Sequence, residues 1–157
     1  MRSEYEVNRA IEQYADTVRR LCMIHLKNYA DTEDIFQTVF LKYALSSVAF
    51  ESPKHETAWF VRVTLNACKD LLKSFSRSRS ISLETLIEEP AQIDQSHREV
   101  LEAVLALPEK YRIAIYLHYY EGYTAPEIAK LTKRKVNSVY TLLNRGKSML
   151  KESLEDE

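Results

Sequence analysis

The sequence predicts an all-α protein: two small helical domains joined by a flexible linker. Three observations predict it. Glycine occurs twice and proline four times in 157 residues, which leaves little chemistry for hairpin turns. Apolar residues recur every three or four positions over long stretches in both halves, the periodicity of amphipathic helices. Between those stretches, residues 76–98 mix serine, arginine and acids around Pro90 with weak periodicity. The domains are therefore expected at 1–75 and 99–157, with 76–98 as a polar tether.

Composition narrows the class. Hydrophobic residues are 45% and charged residues 29%, as in a folded soluble chain. No apolar run approaches the roughly 20 residues of a membrane span, and "MRSEYEVNRAIEQY" lacks the apolar core of an export signal. Cys22 and Cys68 are too few for a disulfide framework, and their spacing fits no zinc pattern. The expectation is a reduced, cytoplasmic protein without membrane insertion. Net charge is −1, but the charge is segregated. Lys130, Lys133, Arg134, Lys135, Arg145, Lys147 and Lys151 follow one another with no acid between them. Glu84, Glu88, Glu89 and Asp94 follow one another with no base.

The elements follow in order. Val7, Ile11, Tyr14, Val18, Leu21 and Ile24 form a helical stripe, so residues 4–29 read as one helix or two. Asp31 is the expected cap of the next helix, with Asp34 favouring its dipole. Laid on that helix, Ile35, Phe36, Val39, Phe40 and Tyr43 share one side, while Glu33, Asp34, Gln37 and Thr38 share the other. Leu41 falls in the middle of the polar side, where it has no core to enter. It is either a solitary exposed leucine or the centre of a contact. Ser46–Pro53 breaks the pattern and reads as a loop. "ETAWFVRVTLNACKDLLKSF" is then a long helix, with Trp59, Val63 and Asn66 or Ala67 along one stripe.

The C-terminal half carries the most legible motif. Thr124-Ala125-Pro126-Glu127 is a capping box with proline in the first turn. Ile128, Ala129 and Leu131 make a short helix, and a break follows at Thr132–Arg134. The next helix is expected to bury Val136, Val139, Leu142, Leu143, Gly146 and Leu150. Its other face carries Arg134, Asn137, Ser138, Thr141, Asn144 and Arg145. That is a helix-turn-helix layout with a basic, amide-rich outer face. Arginine can hold guanine and asparagine adenine, while Ser, Thr and Lys hold phosphates. A solvated basic helical hairpin has the same pattern. Lys133 stands where such a turn favours glycine, and a left-handed lysine costs on the order of 1 kcal/mol; a reshaped turn is the expectation.

Catalytic signatures are not found. Cys22 and His25 lie one turn apart, but no further ligands accompany them, so a buried thiol and a satisfied imidazole are expected instead of a metal site. Two glycines cannot build a phosphate loop. No cofactor is expected, and the chain does not read as an enzyme.

Both halves together resemble a bacterial extracytoplasmic-function (ECF) sigma factor of the sigma-70 family. "ADTEDIFQTVFLKY" and "AWFVRVTLNACKDLLKS" are similar to the sigma-2 domain, through Asp34, Gln37 and Phe40 and then Trp59, Asn66 and Asp70. Residues 107–151 are similar to the sigma-4 domain, through the Leu-Pro start, the Glu-Gly pair and the Glu-Ile-Ala helix. The resemblance implies a subunit that directs core RNA polymerase to promoters. Asp34, Gln37 and Leu41 would dock the clamp helices of its largest subunit, an apolar contact inside a polar rim. Thr38 stands where the family often has an acid. Lys54, His55, Arg62, Asn66, Lys69 and Lys73 would face the melted minus-ten element, as cations for phosphates and an amide for a base edge. Trp59 reads as core, and Asp70 as structural. Arg134, Lys135, Asn137, Ser138, Thr141 and Arg145 would read the minus-thirty-five duplex. Lys133, Arg134 and Asn137 depart from the family where specificity lies. The linker acids would either mimic nucleic acid inside the polymerase or serve as a plain tether. An anti-sigma factor is the expected second partner. Two other readings compete: a dimeric helix-turn-helix regulator, which would bind duplex DNA tightly without polymerase, and a helical adaptor, which the basic C-terminal segment disfavours.

Overall fold

A computed structural model describes residues 1–75 and 95–155. Its described residues are helical with no strand, and the chain divides into two compact units.

Among the described residues, the N-terminal unit is three helices. The first, α1 (Glu4–Leu26), is a single helix. Ser3 caps it, its Oγ accepting from the Glu6 N–H at 3.1 Å. Lys27 ends it in the left-handed region at φ 57°, its N–H donating to Met23 O. The chain turns at once into α2 (Tyr29–Leu45). Asn28, and not Asp31, caps α2: Asn28 Oδ1 accepts from the Asp31 N–H at 2.9 Å. Both side chains are good caps; the abrupt left-handed stop at Lys27 places Asn28 at the helix start. The loop expected at Ser46–Pro53 is present, and α3 (Pro53–Phe75) begins at its last residue.

Tyr14, Val18, Cys22, Ile35, Val39, Phe40, Tyr43, Trp59, Phe60 and Cys68 are buried together between the three helices. Phe60 sits among Tyr14, Tyr43, Trp59 and Phe40, with ring centroids at 4.4, 5.0, 5.0 and 5.3 Å. Burying one such ring contributes about 1.5–3 kcal/mol, and offset or edge contacts between rings add to it. Trp59 is core, as expected.

The C-terminal unit begins with α4 (Gln95–Ala106), which takes in residues 95–98 that read as linker. Then come α5 (Glu109–Ile115), a π-helical turn at Tyr116–Tyr120, α6 (Ala125–Thr132) and α7 (Val136–Glu155). Helix α7 packs against α4, α5 and α6. Gly146 is what lets it approach α5: a Cβ there would lie 2.9 Å from Ile115 Cγ1. Arg112 is buried at the α4–α5 turn, where Nη1 donates to Leu107 O at 2.9 Å. Burial lowers its pKa, against the opposing pull of Glu109.

Candidate functional site

Helix α2 presents two faces. Ile35, Val39, Phe40 and Tyr43 are buried, while Asp34, Gln37, Thr38 and Leu41 are exposed. Leu41 is 60% exposed and Leu45, one turn further on, is 62% exposed. Residues spaced 34, 37, 38, 41 and 45 share one helical face. The polar face therefore carries a pair of leucines, not one. Leu45 escaped sequence reading because it closes the helix, where periodicity fades.

Helix α3 carries the cations expected to face nucleic acid. Arg62, Asn66, Lys69 and Lys73 stand at intervals of four, three and four, so they line one stripe. Arg62, Lys69 and Lys73 are exposed and Asn66 is half-buried. His55 lies on the same stripe, within the first turn of the helix, and Lys54 sits to one side of it. His55 also has a local task. Its Nδ1 accepts from the Glu51 N–H at 3.2 Å, and its own N–H donates to Ser52 Oγ at 3.1 Å. Ser52 thus caps α3 with Pro53 as its first residue, a favoured start. Asp70 is exposed.

Glu56 anchors the start of α3. It is buried, and three side chains from the other helices converge on it. The Tyr14 hydroxyl donates to Oε1 at 2.9 Å, the Tyr43 hydroxyl to Oε2 at 3.4 Å, and Arg9 Nη2 lies 3.3 Å from Oε2. Burial raises the pKa of Tyr14 and Tyr43, and the nearby carboxylate pushes both further up. Burial works against the charge on Arg9, but Glu56 and Tyr43 outweigh it and its pKa rises. Sequence reading missed this cluster because the side chains that meet Glu56 lie 13 to 47 residues from it in the chain.

In the C-terminal unit the capping box is present. Thr124 Oγ1 accepts from the Glu127 N–H at 3.3 Å, and the Thr124 N–H donates to Glu127 Oε1 at 3.0 Å. The turn after α6 is not reshaped. Lys133 adopts the left-handed conformation itself, at φ 57° and ψ 44°. The Arg134 N–H then reaches back to Ala129 O at 2.9 Å, the closure of a Schellman motif. Arg134, Lys135, Asn137, Ser138, Thr141 and Arg145 are all exposed. The last four share one face of α7, opposite buried Val139, Leu142, Leu143 and Gly146. Val136 is exposed, against expectation, because it opens α7 a turn ahead of Val139, the first buried residue of the helix. Leu150 is only half-buried. Tyr140, exposed on the same helix, went unremarked in the sequence.

Two family models cover most of this arrangement. The sigma-70 region 2 model matches residues 10–78, and the sigma-70 region 4 model matches residues 97–150. The chain belongs to the sigma-70 family, extracytoplasmic-function type. Sigma factors of this family act in transcription initiation by RNA polymerase and are regulatory subunits, not enzymes. Among relatives, the ECF RNA polymerase sigma factor SigW of Bacillus subtilis is 23% identical over 163 residues, spanning 93% of this chain and 87% of SigW. The RNA polymerase sigma factor SigV of the same organism is 29% identical over 141 residues, spanning 88% and 84%. The fold matches the sigma factor RpoE of Bartonella quintana, solved in complex with the anti-sigma factor NepR, with TM-score 0.79 at 18% identity over 96% of this chain and 97% of that one. No helix among the described residues of this sigma factor is long and apolar enough to cross a membrane.

Proposed function

We propose that this sigma factor binds core RNA polymerase through the exposed face of α2 and directs it to a specific set of promoters in the cytoplasm. The N-terminal domain, residues 1–75, carries polymerase binding and minus-ten recognition and melting. The linker is 76–94, since residues 95–98, read as linker in the sequence, belong to α4, and the domain from residue 95 onward reads the minus-thirty-five element. Asp34, Gln37 and Leu41 form the docking surface, with Leu45 added to it. The observation that carries this reading is the leucine pair, 60% and 62% exposed within a polar rim. A desolvated apolar centre with a polar edge is how protein interfaces are built.

The basic stripe of α3 supports contacts to a melted strand: Arg62, Lys69 and Lys73 for phosphates and Asn66 for a base edge. Lys54 and His55 flank its start. The outer face of α7 supports major-groove reading by Asn137, Ser138, Thr141 and Arg145, with Arg134 and Lys135 in the turn ahead of it. The linker acids Glu84, Glu88, Glu89 and Asp94 lie outside the described residues. An anti-sigma factor is proposed as a second partner, supported by the complex in which the Bartonella quintana relative was solved.

Polymerase binding tests this reading. Labelled wild-type chain titrated with core RNA polymerase should bind, and Leu41→Glu and Leu45→Glu should each weaken binding by tenfold or more, on the order of a hot-spot loss. Both side chains are exposed, so circular dichroism should be unchanged. Equal affinity in all three proteins would move the docking surface elsewhere.

A further inference from the structure

The connection between α2 and α3 is short, exposed at its tip and held from a distance. Ser47, Val48 and Ala49 face solvent, yet the segment around them is anchored at nearly every residue. Phe50 packs against Tyr43, Trp59 and His55. The Val48 N–H donates to Ser46 Oγ at 3.1 Å.

The remaining anchor is Arg2, which precedes α1 in the chain. Its N–H donates to Ala44 O at 2.9 Å, and its Nε donates to Tyr43 O at 3.1 Å. Both acceptors lie among the last carbonyls of α2, which have no partner within the helix. Its Nη2 donates to Val48 O in the exposed tip. The guanidinium lies 4.3 Å from the Tyr43 ring centroid and 5.2 Å from that of Phe50, within cation–π range of both. Nη1 lies 3.3 Å from Glu6 Oε2, which orients the group. The Arg2 side chain is only 12% exposed, low for an arginine beside a surface segment. One side chain thus joins the α2 terminus, the tip of the connection and the two rings beneath it.

We infer that Arg2 is a positioning residue for promoter reading: it fixes the 46–50 segment in the conformation that meets the melted minus-ten strand. The inference rests on the proposed minus-ten role of α3 and extends it to the segment that leads into its first turn. An unstacked base is selected by a pre-shaped pocket, and a backbone tip free to move cannot discriminate between bases. Arg2 supplies the rigidity without touching the strand. A lysine there would keep the charge over the rings but would lose the fork that grips two carbonyls at once.

The test uses holoenzyme assembled from core polymerase and full-length chain. The templates are promoters selected by the wild-type holoenzyme, pre-melted across the minus-ten element and differing by one base in the non-template strand. The readout is the ratio of transcript between preferred and substituted bases. A lower folded fraction scales every template alike and leaves this ratio unchanged, so loss of stability alone cannot mimic the effect. Wild type should discriminate at one or more positions by roughly 5- to 100-fold, the usual range for a specific base contact. Arg2→Ala should bring that ratio down to about twofold or less, and Arg2→Lys should fall between. Amide exchange at residues 47–49 of the free protein should quicken about tenfold or more in Arg2→Ala, as expected where local opening becomes easier, while core amides of α3 stay as they are. An unchanged transcript ratio in Arg2→Ala overturns the inference. A wild-type holoenzyme that transcribes but ignores every minus-ten substitution overturns the minus-ten reading beneath it.

Discussion

The Tyr14 hydroxyl donates to Glu56 Oε1 at 2.9 Å, tying the middle of α1 to the first turn of α3. Tyr43 of α2 and Arg9 of α1 reach the same carboxylate. One acidic side chain therefore sets where α3 begins relative to both its neighbours.

Removing that carboxylate should be costly. Glu56→Ala leaves two tyrosine hydroxyls in a buried site without their acceptor, at about 1–3 kcal/mol for each unsatisfied group. Urea denaturation of the N-terminal domain should show a loss of at least about 2 kcal/mol. Glu56→Gln keeps an acceptor oxygen and should lose less. Equal stability in Glu56→Ala and wild type would mean that the cluster is incidental.

The same cluster sets a pH dependence. Burial holds the hydroxyls of Tyr14 and Tyr43 above their ordinary range. The unfolded chain releases these protons near pH 10 while the native state keeps them. Stability from a raised pKa is complete below the unfolded value and is lost as pH rises through the native one. Unfolding free energy should hold steady up to about pH 9 and fall above about pH 10. The double variant Tyr14→Phe, Tyr43→Phe should show a shallower fall over the same window. An identical slope in the double variant would assign the alkaline loss to other groups.

Gly146 should tolerate no branched side chain. A Cβ there already meets Ile115 Cγ1 at 2.9 Å and Tyr111 Cβ at 3.6 Å. Gly146→Val should destabilise the C-terminal domain by about 1–3 kcal/mol, the usual cost of overpacking. A thermal melt at or above the wild-type temperature would contradict the tight α5–α7 contact.

Lys133 should be improvable. Its left-handed backbone costs roughly 1–2 kcal/mol for a residue with a Cβ. Lys133→Gly removes that cost but restores about 0.4–1 kcal/mol of unfolded-state entropy. The net expectation is stabilisation by up to about 1 kcal/mol on urea denaturation. Destabilisation would mean that the lysine side chain holds something glycine cannot.

The helices themselves were legible because local rules agreed with tertiary demand. The Thr124–Glu127 capping box and the apolar face of α2 needed only spacing and residue type. Lys133 was legible as a misfit, and the turn accepts it because the Arg134 N–H closes on Ala129 O regardless of the side chain. Distance in sequence hid the rest. Glu56 reads as an ordinary acid in a helix's first turn, and its burial depends on Tyr14 and Tyr43, which no local pattern brings to it. Arg2 gives no signal of its task, since the side-chain-bound carbonyls of Tyr43 and Val48 lie more than 40 residues away. Asn28 and Asp31 are equally good caps, so only the turn at Lys27 decides between them.

The most direct measurement is start-site-specific run-off transcription by core RNA polymerase, with and without this chain, on promoters upstream of its own gene. Wild type should yield a transcript that core alone does not, and Asp34→Arg should abolish it by reversing charge on the α2 face. Arg145→Ala should weaken it on the same template. Tight, specific binding of free duplex DNA with no polymerase binding and no transcript would contradict the sigma reading of these surfaces and leave a self-sufficient helix-turn-helix regulator.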